Sequence, residues 1–165
     1  MPRIFHDLDE IEAALDQEMG PTDWLTVDQP RIDAFADATG DHQWIHVDTA
    51  RAAAGPYGGT IAHGYLTLSL IPGFGERLFT LAAGSGRVNY GVNRARFPAP
   101  VPSGSRVRAV ARFVDLRRTP AGAALTVRYT LGIDKGAKPA CVAETVTLIL
   151  PARDTTFPET GRRPT

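Results

Sequence analysis

Residues 60–79 read TIAHGYLTLSLIPGFGERLF, the longest apolar segment of the chain and one with few charges. A helix that is apolar around most of its circumference belongs in the protein interior. Pro72 has no backbone N–H, so we expect the helix to bend there. The segment therefore predicts one long, buried helix that starts near Gly64, with the rest of the domain built around it.

The pattern of apolar residues changes after this helix. In the run that begins at residue 124, Leu125, Val127 and Tyr129 share one face, whereas Thr126 and Arg128 share the other. This alternation is typical of a sheet with one face in water. We predict an α+β domain in which a mainly antiparallel sheet wraps the buried helix. The β-rich runs, which turn sequences separate, are RVNYGVNRARFPAP (87–100), SRVRAVARFVDL (105–116), ALTVRYTLGID (124–134) and PACVAETVTLIL (139–150).

Three shorter helices are predicted before residue 60. The first spans residues 7–19, with Asp7 as its N-cap and Gly20 as its end. The second spans residues 30–39 and ends at Gly40, and the third spans residues 49–54. The stretch between the second and third helices is predicted to be a loop.

Composition limits the domain organisation and the partners. A chain of 165 residues that is 43% hydrophobic suits one well-buried core rather than two. We predict a single domain over residues 1–153 and a flexible C-terminal tail over residues 154–165, which are polar and rich in proline. Basic and acidic residues number 18 each, so no net charge draws the protein to nucleic acid or to an anionic membrane.

The cysteine content and the N-terminus bear on location. Cys141 is the single cysteine, which excludes an intramolecular disulfide and a cysteine metal cluster, and its apolar run predicts a small buried residue. The N-terminus carries acids where a signal peptide would need an apolar run, and no stretch reaches the ~18 apolar residues of a membrane helix. We predict a cytoplasmic protein with no membrane partner and no metal.

Residues 40–46, GDHQWIH, place an acid, Asp41, five positions before a histidine, His46. A helix or a strand would point these two side chains in different directions, so they can meet only across a bend. Gly40 and Asp41 favour such a bend. Two interpretations remain open: a chemical site on an irregular segment, or a turn in which Asp41 caps local amides and His46 lies on the surface.

Two segments together resemble the MaoC-like (R)-specific enoyl-CoA hydratases, in particular the small single-domain mycobacterial members. They are FADATGDHQWIHVDTARAAAGPYGGTIAHGYLTLSLIP (35–72) and NYGVNRARFPAPVPSGSRVR (89–108). The resemblance implies a hot-dog fold, an antiparallel sheet around a long central helix, assembled as a homodimer. It places the family's acid and histidine on Asp41 and His46, and its helix-start glycine on Gly64. It also implies an acyl-CoA substrate, a role in fatty acid metabolism and no cofactor.

The implied reaction is the reversible addition of water to trans-2-enoyl-CoA, which yields (3R)-3-hydroxyacyl-CoA. It needs a water activated to attack C3, stabilisation of negative charge on the thioester oxygen, and a proton for C2. We assign the water and the proton to Asp41 and His46, and the thioester oxygen to the Gly64 N–H, because a helix start favours negative charge. His63, beside Gly64, is either part of the substrate site or a structural residue bonded to nearby backbone.

Two arginines are candidates for substrate binding, and two other functions compete with hydration. Arginine forks suit phosphate, and Arg94 and Arg96 are candidates for contacts with the phosphates of coenzyme A. The hot-dog fold also carries thioesterases, in which water would attack C1 and release free thiol. A non-catalytic acyl-thioester-binding protein would bind without turnover. The joint presence of the acid, the two histidines and the helix-start glycine favours a hydratase, since neither alternative needs this set.

Overall fold

An antiparallel sheet packed against helices forms the structure, as the alternating strand runs predict. The computed structural model describes residues 1–151, so the predicted tail over residues 154–165 lies outside the described range. In chain order the elements are β1 (Arg3–Phe5), α1 (Leu8–Ala13), β2 (Glu18–Met19), β3 (Leu25–Val27), α2 (Gln29–Thr39), α3 (Trp44–Val47), α4 (Thr49–Ala53), α5 (Gly64–Ser69), α6 (Ile71–Leu78), β4 (Phe79–Leu81), β5 (Gly86–Arg96), β6 (Ser105–Thr119), β7 (Gly122–Ile133) and β8 (Cys141–Leu150).

The main sheet has six strands in the order β2-β6-β7-β8-β5, and β3 also pairs with β6. Every pairing in this sheet is antiparallel, while β1 and β4 form a separate parallel pair. On β7, Leu125, Val127 and Tyr129 are buried, so the alternation in the sequence sets which face meets the core. The predicted fold class, α+β with an antiparallel sheet around the helical segment, is confirmed.

The apolar segment 60–79 is helical, but it forms two helices instead of one. Helix α5 ends at Ser69 and α6 begins at Ile71, with Leu70 between them. The predicted bend at Pro72 is therefore wrong by two residues. Pro72 lies in the first turn of α6, where an amide has no acceptor within the helix and its absence costs little.

One face of the α5–α6 pair packs on the core, and the other does not. Leu66, Ile71 and Phe74 are buried, whereas the Tyr65 side chain is 72% exposed. The prediction that this segment is buried around most of its circumference is thus wrong for the Tyr65 face of the single chain. Tyr65 instead contacts the ring edge of Phe97, which follows β5.

The predicted helices before residue 60 are present, with the caps that the sequence indicates. Asp7 caps α1, and its carboxylate accepts a hydrogen bond from the Glu10 amide at 2.8 Å. Helix α2 ends at Gly40, whose φ of 74° lies in the left-handed region that favours glycine. Helix α1 ends at Ala13, earlier than predicted, because the following residues continue into β2, which pairs with β6.

The stretch GDHQWIH is only partly a loop. Residues Trp44–Val47 form α3, a single helical turn in which the Asp48 amide bonds back to the Trp44 carbonyl at 3.0 Å. The prediction of an irregular segment is therefore wrong for the half that carries His46. One turn is too short for an apolar repeat to reveal it, because periodicity needs a window of several turns.

Apolar side chains from the helices and from the inner face of the sheet form a contiguous core. Cys141 is fully buried in it, as predicted, and burial raises the pKa of its thiol to about 11. Within residues 1–151, no helix has both the length and the apolar character needed to span a membrane.

Candidate active site

His46 is buried in the turn α3, with only 6% of its surface exposed. Its Nδ1 atom lies 2.6 Å from the carbonyl oxygen of Ile61, which can only accept, so Nδ1 donates the hydrogen bond. In the neutral ring, Nε2 then carries a free lone pair. Burial lowers the pKa of His46 below its ordinary value of 6.5 and so favours the neutral form. The interpretation of His46 as a surface residue is wrong.

Asp41 lies at the bend between α2 and α3 and is exposed. Its carboxylate accepts a hydrogen bond from the Gln43 amide at 3.3 Å, so it does cap the local turn. It also faces the two buried histidines: one carboxylate oxygen and one ring nitrogen each from His46 and His63 all lie within 4.8 Å of one another. Two hydrogen bonds of about 2.8 Å to one water span roughly 4.6 Å. Asp41 and His46 can therefore share a water molecule.

His63 connects the groups of this site. Its ring is 3% exposed, and its Nε2 donates to the backbone carbonyl of Asp41 at 2.9 Å. The ring also stacks on that of His46, with centroids 3.7 Å apart and planes inclined by 25°. Its Nδ1 atom is buried without a partner among residues 1–151. His63 thus holds the Asp41 backbone and the His46 ring, the structural role that the sequence left open.

The site contains a donor set of one carboxylate and two imidazoles, which suits Zn²⁺. An imidazole binds metal through a nitrogen that carries no proton. The His63 nitrogen nearest to the carboxylate is Nε2, at 4.0 Å, and it donates its proton to the Asp41 carbonyl. This nitrogen of His63 is therefore protonated and bonded to the loop, so it cannot bind a metal ion, and we assign no metal to this site.

Gly64 follows His63 as the first residue of α5. An amide at that position has no acceptor within its own helix, so it can donate to an anionic oxygen. The ring of Phe97 packs on the α-carbon of Gly64, and a Cβ added there would lie 2.9 Å from its Cδ2 atom. Gly64 therefore has a packing reason to be glycine in addition to the predicted chemical one.

The sequence around this site matches a known family. The model of the MaoC-like domain matches residues 10–131, a range that includes both histidines, the acid and Gly64. The chain belongs to the MaoC-like domain family. The solved structures that resemble this MaoC-like chain have the hot-dog fold, as the resemblance implied.

Two curated relatives and one solved structure support this assignment. The 3-hydroxyacyl-thioester dehydratase Z of Mycobacterium tuberculosis is 48% identical over 145 residues, which cover 87% of this chain and 96% of the relative. Nodulation protein N of Rhizobium leguminosarum bv. viciae is 44% identical over 147 residues, which cover 86% of this chain and 90% of the relative. An (R)-hydratase from A. caviae involved in PHA biosynthesis has a TM-score of 0.65 at 27% identity, covering 82% and 96% of the two chains. The MaoC-like chain is an enzyme of the hydro-lyase class.

Sequence reasoning missed Gln29, whose side chain forms hydrogen bonds that hold the helical turn carrying His46. Its side-chain amide donates to the His46 carbonyl and to the Asp33 carboxylate, both at 2.7 Å, and its side-chain oxygen accepts from the Thr60 hydroxyl at 2.6 Å. Gln29 thus ties α3 to α2 and to the segment that leads to His63. Two of its partners lie 17 and 31 positions away, so no local pattern could reveal it.

Arg94 and Arg96 lie near the end of β5. Both line a cavity of about 440 Å³ together with Arg128 and Glu144. Arg128 pairs with Glu144 at 2.7 Å. Among residues 1–151, neither Arg94 nor Arg96 forms an ion pair, and Arg96 donates to the Ala95 carbonyl. The next residue is Phe97, whose ring packs on Gly64. The cavity therefore lies at the end of β5 that adjoins Gly64.

Proposed function

We propose that the chain catalyses the reversible hydration of trans-2-enoyl-CoA to (3R)-3-hydroxyacyl-CoA. The observation that carries this proposal is that an Asp41 carboxylate oxygen and a ring nitrogen of His46 lie within 4.8 Å of each other, a distance that one water molecule can bridge. The relatives support it by their names, since one is a 3-hydroxyacyl-thioester dehydratase and another an (R)-hydratase.

The water held by Asp41 and His46 is the nucleophile. As its oxygen bonds to C3, its proton passes to Nε2 of His46, the nitrogen that the Ile61 contact leaves free. The electron pair of the double bond moves toward the thioester, and the negative charge that develops on the carbonyl oxygen meets the Gly64 N–H. A proton from the Asp41–His46 pair then completes C2.

His63 positions the pair in this scheme and does not bind substrate. Its hydrogen bond fixes the carbonyl of Asp41, and its ring covers one face of His46. A loop held at both the acid and the histidine loses little entropy when water and substrate bind. Of the two sequence-based interpretations of His63, a substrate contact and a structural role, this proposal adopts the structural one.

Arg94 and Arg96 supply the contacts for the carrier. Two guanidinium groups on one cavity, neither in an ion pair with any residue from 1 to 151, suit the phosphates of coenzyme A, which carry several negative charges. The same surface would attract the phosphopantetheine of an acyl carrier protein. The kinetic constants for matched enoyl-CoA and enoyl-carrier-protein substrates distinguish the two, and we expect coenzyme A to be the better carrier.

The test of the function is an assay with crotonyl-CoA that follows enoyl absorbance and free thiol in parallel. We expect the absorbance to fall without thiol release. Asp41→Asn and His46→Gln should each lower turnover by ~10²- to 10⁴-fold while KM changes little. The double variant should be little worse than the poorer single one, because the two groups act as a unit.

Matched controls lie in the same stretch of chain. His42 and Asp37 form an exposed pair at 2.9 Å, so Asp37→Asn and His42→Gln make the same chemical changes outside the site, and both should keep wild-type activity. Thiol release would identify a thioesterase, and binding without turnover a non-catalytic protein. Near-normal hydration by a folded Asp41→Asn or His46→Gln variant would overturn the proposal.

A further inference from the structure

A cavity lies between the α5–α6 pair and the inner face of the sheet, on the side of β5. It consists of two adjoining hollows of about 280 Å³ each, which share Pro72, Asn89, Tyr129 and Thr147 in their lining. The nearer hollow begins at Leu68, about one helical turn beyond Gly64. An acyl chain whose thioester lies at Gly64 can therefore extend into it.

The hydroxyl of Tyr129 opens into this cavity from an otherwise buried ring. The residue is 5% exposed, and its ring lies against Phe79, with centroids 6.5 Å apart. Burial raises the pKa of the phenol, so the group stays neutral and can donate a hydrogen bond. A Cβ at Gly75 would lie 2.8 Å from the hydroxyl oxygen, so the absence of a side chain there makes room for the polar end of the ring.

The sheet adds two more hydroxyl groups to the same lining. Thr145 and Thr147 lie opposite Val127 and Leu125 of β7, on the face that meets the core, and both line the nearer hollow. Valine has almost the same shape as threonine and suits an apolar lining better, so packing alone does not call for hydroxyl groups there. The cavity is therefore amphipathic, and it is open along β5, where Tyr90 and Val92 of its lining are exposed.

The charged groups of the cavity indicate which kind of polar ligand it takes. Glu76 and Arg87 both line the farther hollow, and they carry opposite charges. The Arg87 guanidinium also donates to the carbonyl of Leu81. The two charges offset each other, so the lining carries no net charge that would select an anion or a cation, whereas its hydroxyl groups can bond a neutral group.

We propose that this cavity receives the distal part of the acyl chain and selects enoyl thioesters whose chain carries a neutral hydroxyl or carbonyl oxygen, with Tyr129 as the hydrogen-bond donor. An alkyl chain would displace water from the Tyr129 hydroxyl and leave this buried group without a partner. An oxygen on the chain replaces the lost hydrogen bond, and sites built in this way discriminate against analogues that lack the oxygen. The inference rests on the proposed hydration activity.

The experiment compares hexenoyl, octenoyl, decenoyl and dodecenoyl thioesters of coenzyme A, each with and without a terminal hydroxyl. Crotonyl-CoA is the control, because its chain ends before the cavity. At the chain length that reaches Tyr129, we expect kcat/KM to favour the hydroxylated substrate by roughly tenfold or more. Tyr129→Phe removes only the hydroxyl and should bring that ratio close to one while hydration of crotonyl-CoA is unchanged. Thr147→Val should lower the ratio less.

Each outcome decides the matter. Preference for the alkyl substrate at every chain length would overturn the inference, as would a ratio that neither Tyr129→Phe nor Thr147→Val alters. Tyr57→Phe, in an exposed loop, is the matched control and should leave every ratio unchanged. Failure of the wild-type protein to hydrate crotonyl-CoA would overturn the proposed function, and this inference with it.

Discussion

Two histidines of one short stretch, His42 and His46, have opposite electrostatic environments. The ring of His42 is exposed and bonds to the Asp37 carboxylate at 2.9 Å, and this hydrogen bond raises the pKa of His42. His46 is buried, and desolvation lowers its pKa. The hydrogen bond to the Ile61 carbonyl and, to a smaller extent, the Asp41 carboxylate raise the pKa, and His63 lowers it, but burial has the largest influence.

We expect His46 to titrate below pH 6.5 and His42 above it in an NMR pH titration of the imidazole signals. A histidine whose pKa is lowered stays neutral to a lower pH. His46 therefore remains a proton acceptor at pH values where His42 is already charged. The variants His42→Gln and His46→Gln assign the two signals. The reverse order would show that the hydrogen bond to Ile61 and the Asp41 carboxylate together outweigh the burial of His46.

At the scale of elements, the site depends on how the start of α5 meets the segment after β5. The Ala62 amide bonds to the Val101 carbonyl at 2.8 Å, and Ile61 forms a bridge with Pro102. These bonds bring Phe97 over Gly64. The glycine is therefore explained both by this ring and by the close approach of a thioester to its amide.

The variants Gly64→Ala and Phe97→Ala, alone and combined, separate the two explanations. If the thioester must approach the Gly64 amide, the added methyl group displaces it, and kcat falls by ~10²-fold with or without the Phe97 ring. Phe97→Ala alone should keep most of the activity. Recovery of wild-type kcat in the double variant would mean that Gly64 serves only to accommodate Phe97. Circular dichroism confirms that each variant is folded.

At the scale of the molecule, strand β5 is a free edge of the main sheet within residues 1–151. Three apolar side chains on this strand are about half exposed or more: Val88, Tyr90 and Val92. A long edge of this kind is a template for pairing with another chain. The predicted homodimer would cover it through a two-fold interface, which also encloses the exposed face of α5 around Tyr65.

Tyr90→Lys should convert a dimer into a monomer in light scattering at micromolar concentration. The added charge would be buried in a two-fold interface but remains in water in the single chain, where Tyr90 is 72% exposed. Ala121→Lys adds the same charge at the exposed turn between β6 and β7 and should leave the dimer intact. A wild-type monomer, or a dimer that persists in Tyr90→Lys, would contradict the assignment of this edge.

The strand runs, the helix caps and the candidate acid and histidine could all be predicted from the sequence. These features are local: alternation along a strand sets its buried face, Asp7 caps the helix that follows it, and Gly40 permits the backbone angle that ends α2. The sequence also showed that Asp41 and His46 could meet only across a bend, and in the structure their side chains lie within reach of one water.

The surroundings of Asp41 and His46 depend on contacts between distant segments, which could not be predicted from the sequence. The His63 ring reaches the Asp41 carbonyl across 22 positions of chain, Gln29 reaches the His46 turn across 17, and Phe97 arrives over Gly64 from the far end of a strand. The break at Leu70 likewise reflects how the helices pack on the sheet, since proline alone predicted a different position. Such contacts depend on where distant segments are brought together by the closing of the core, and no periodicity within one segment carries that information.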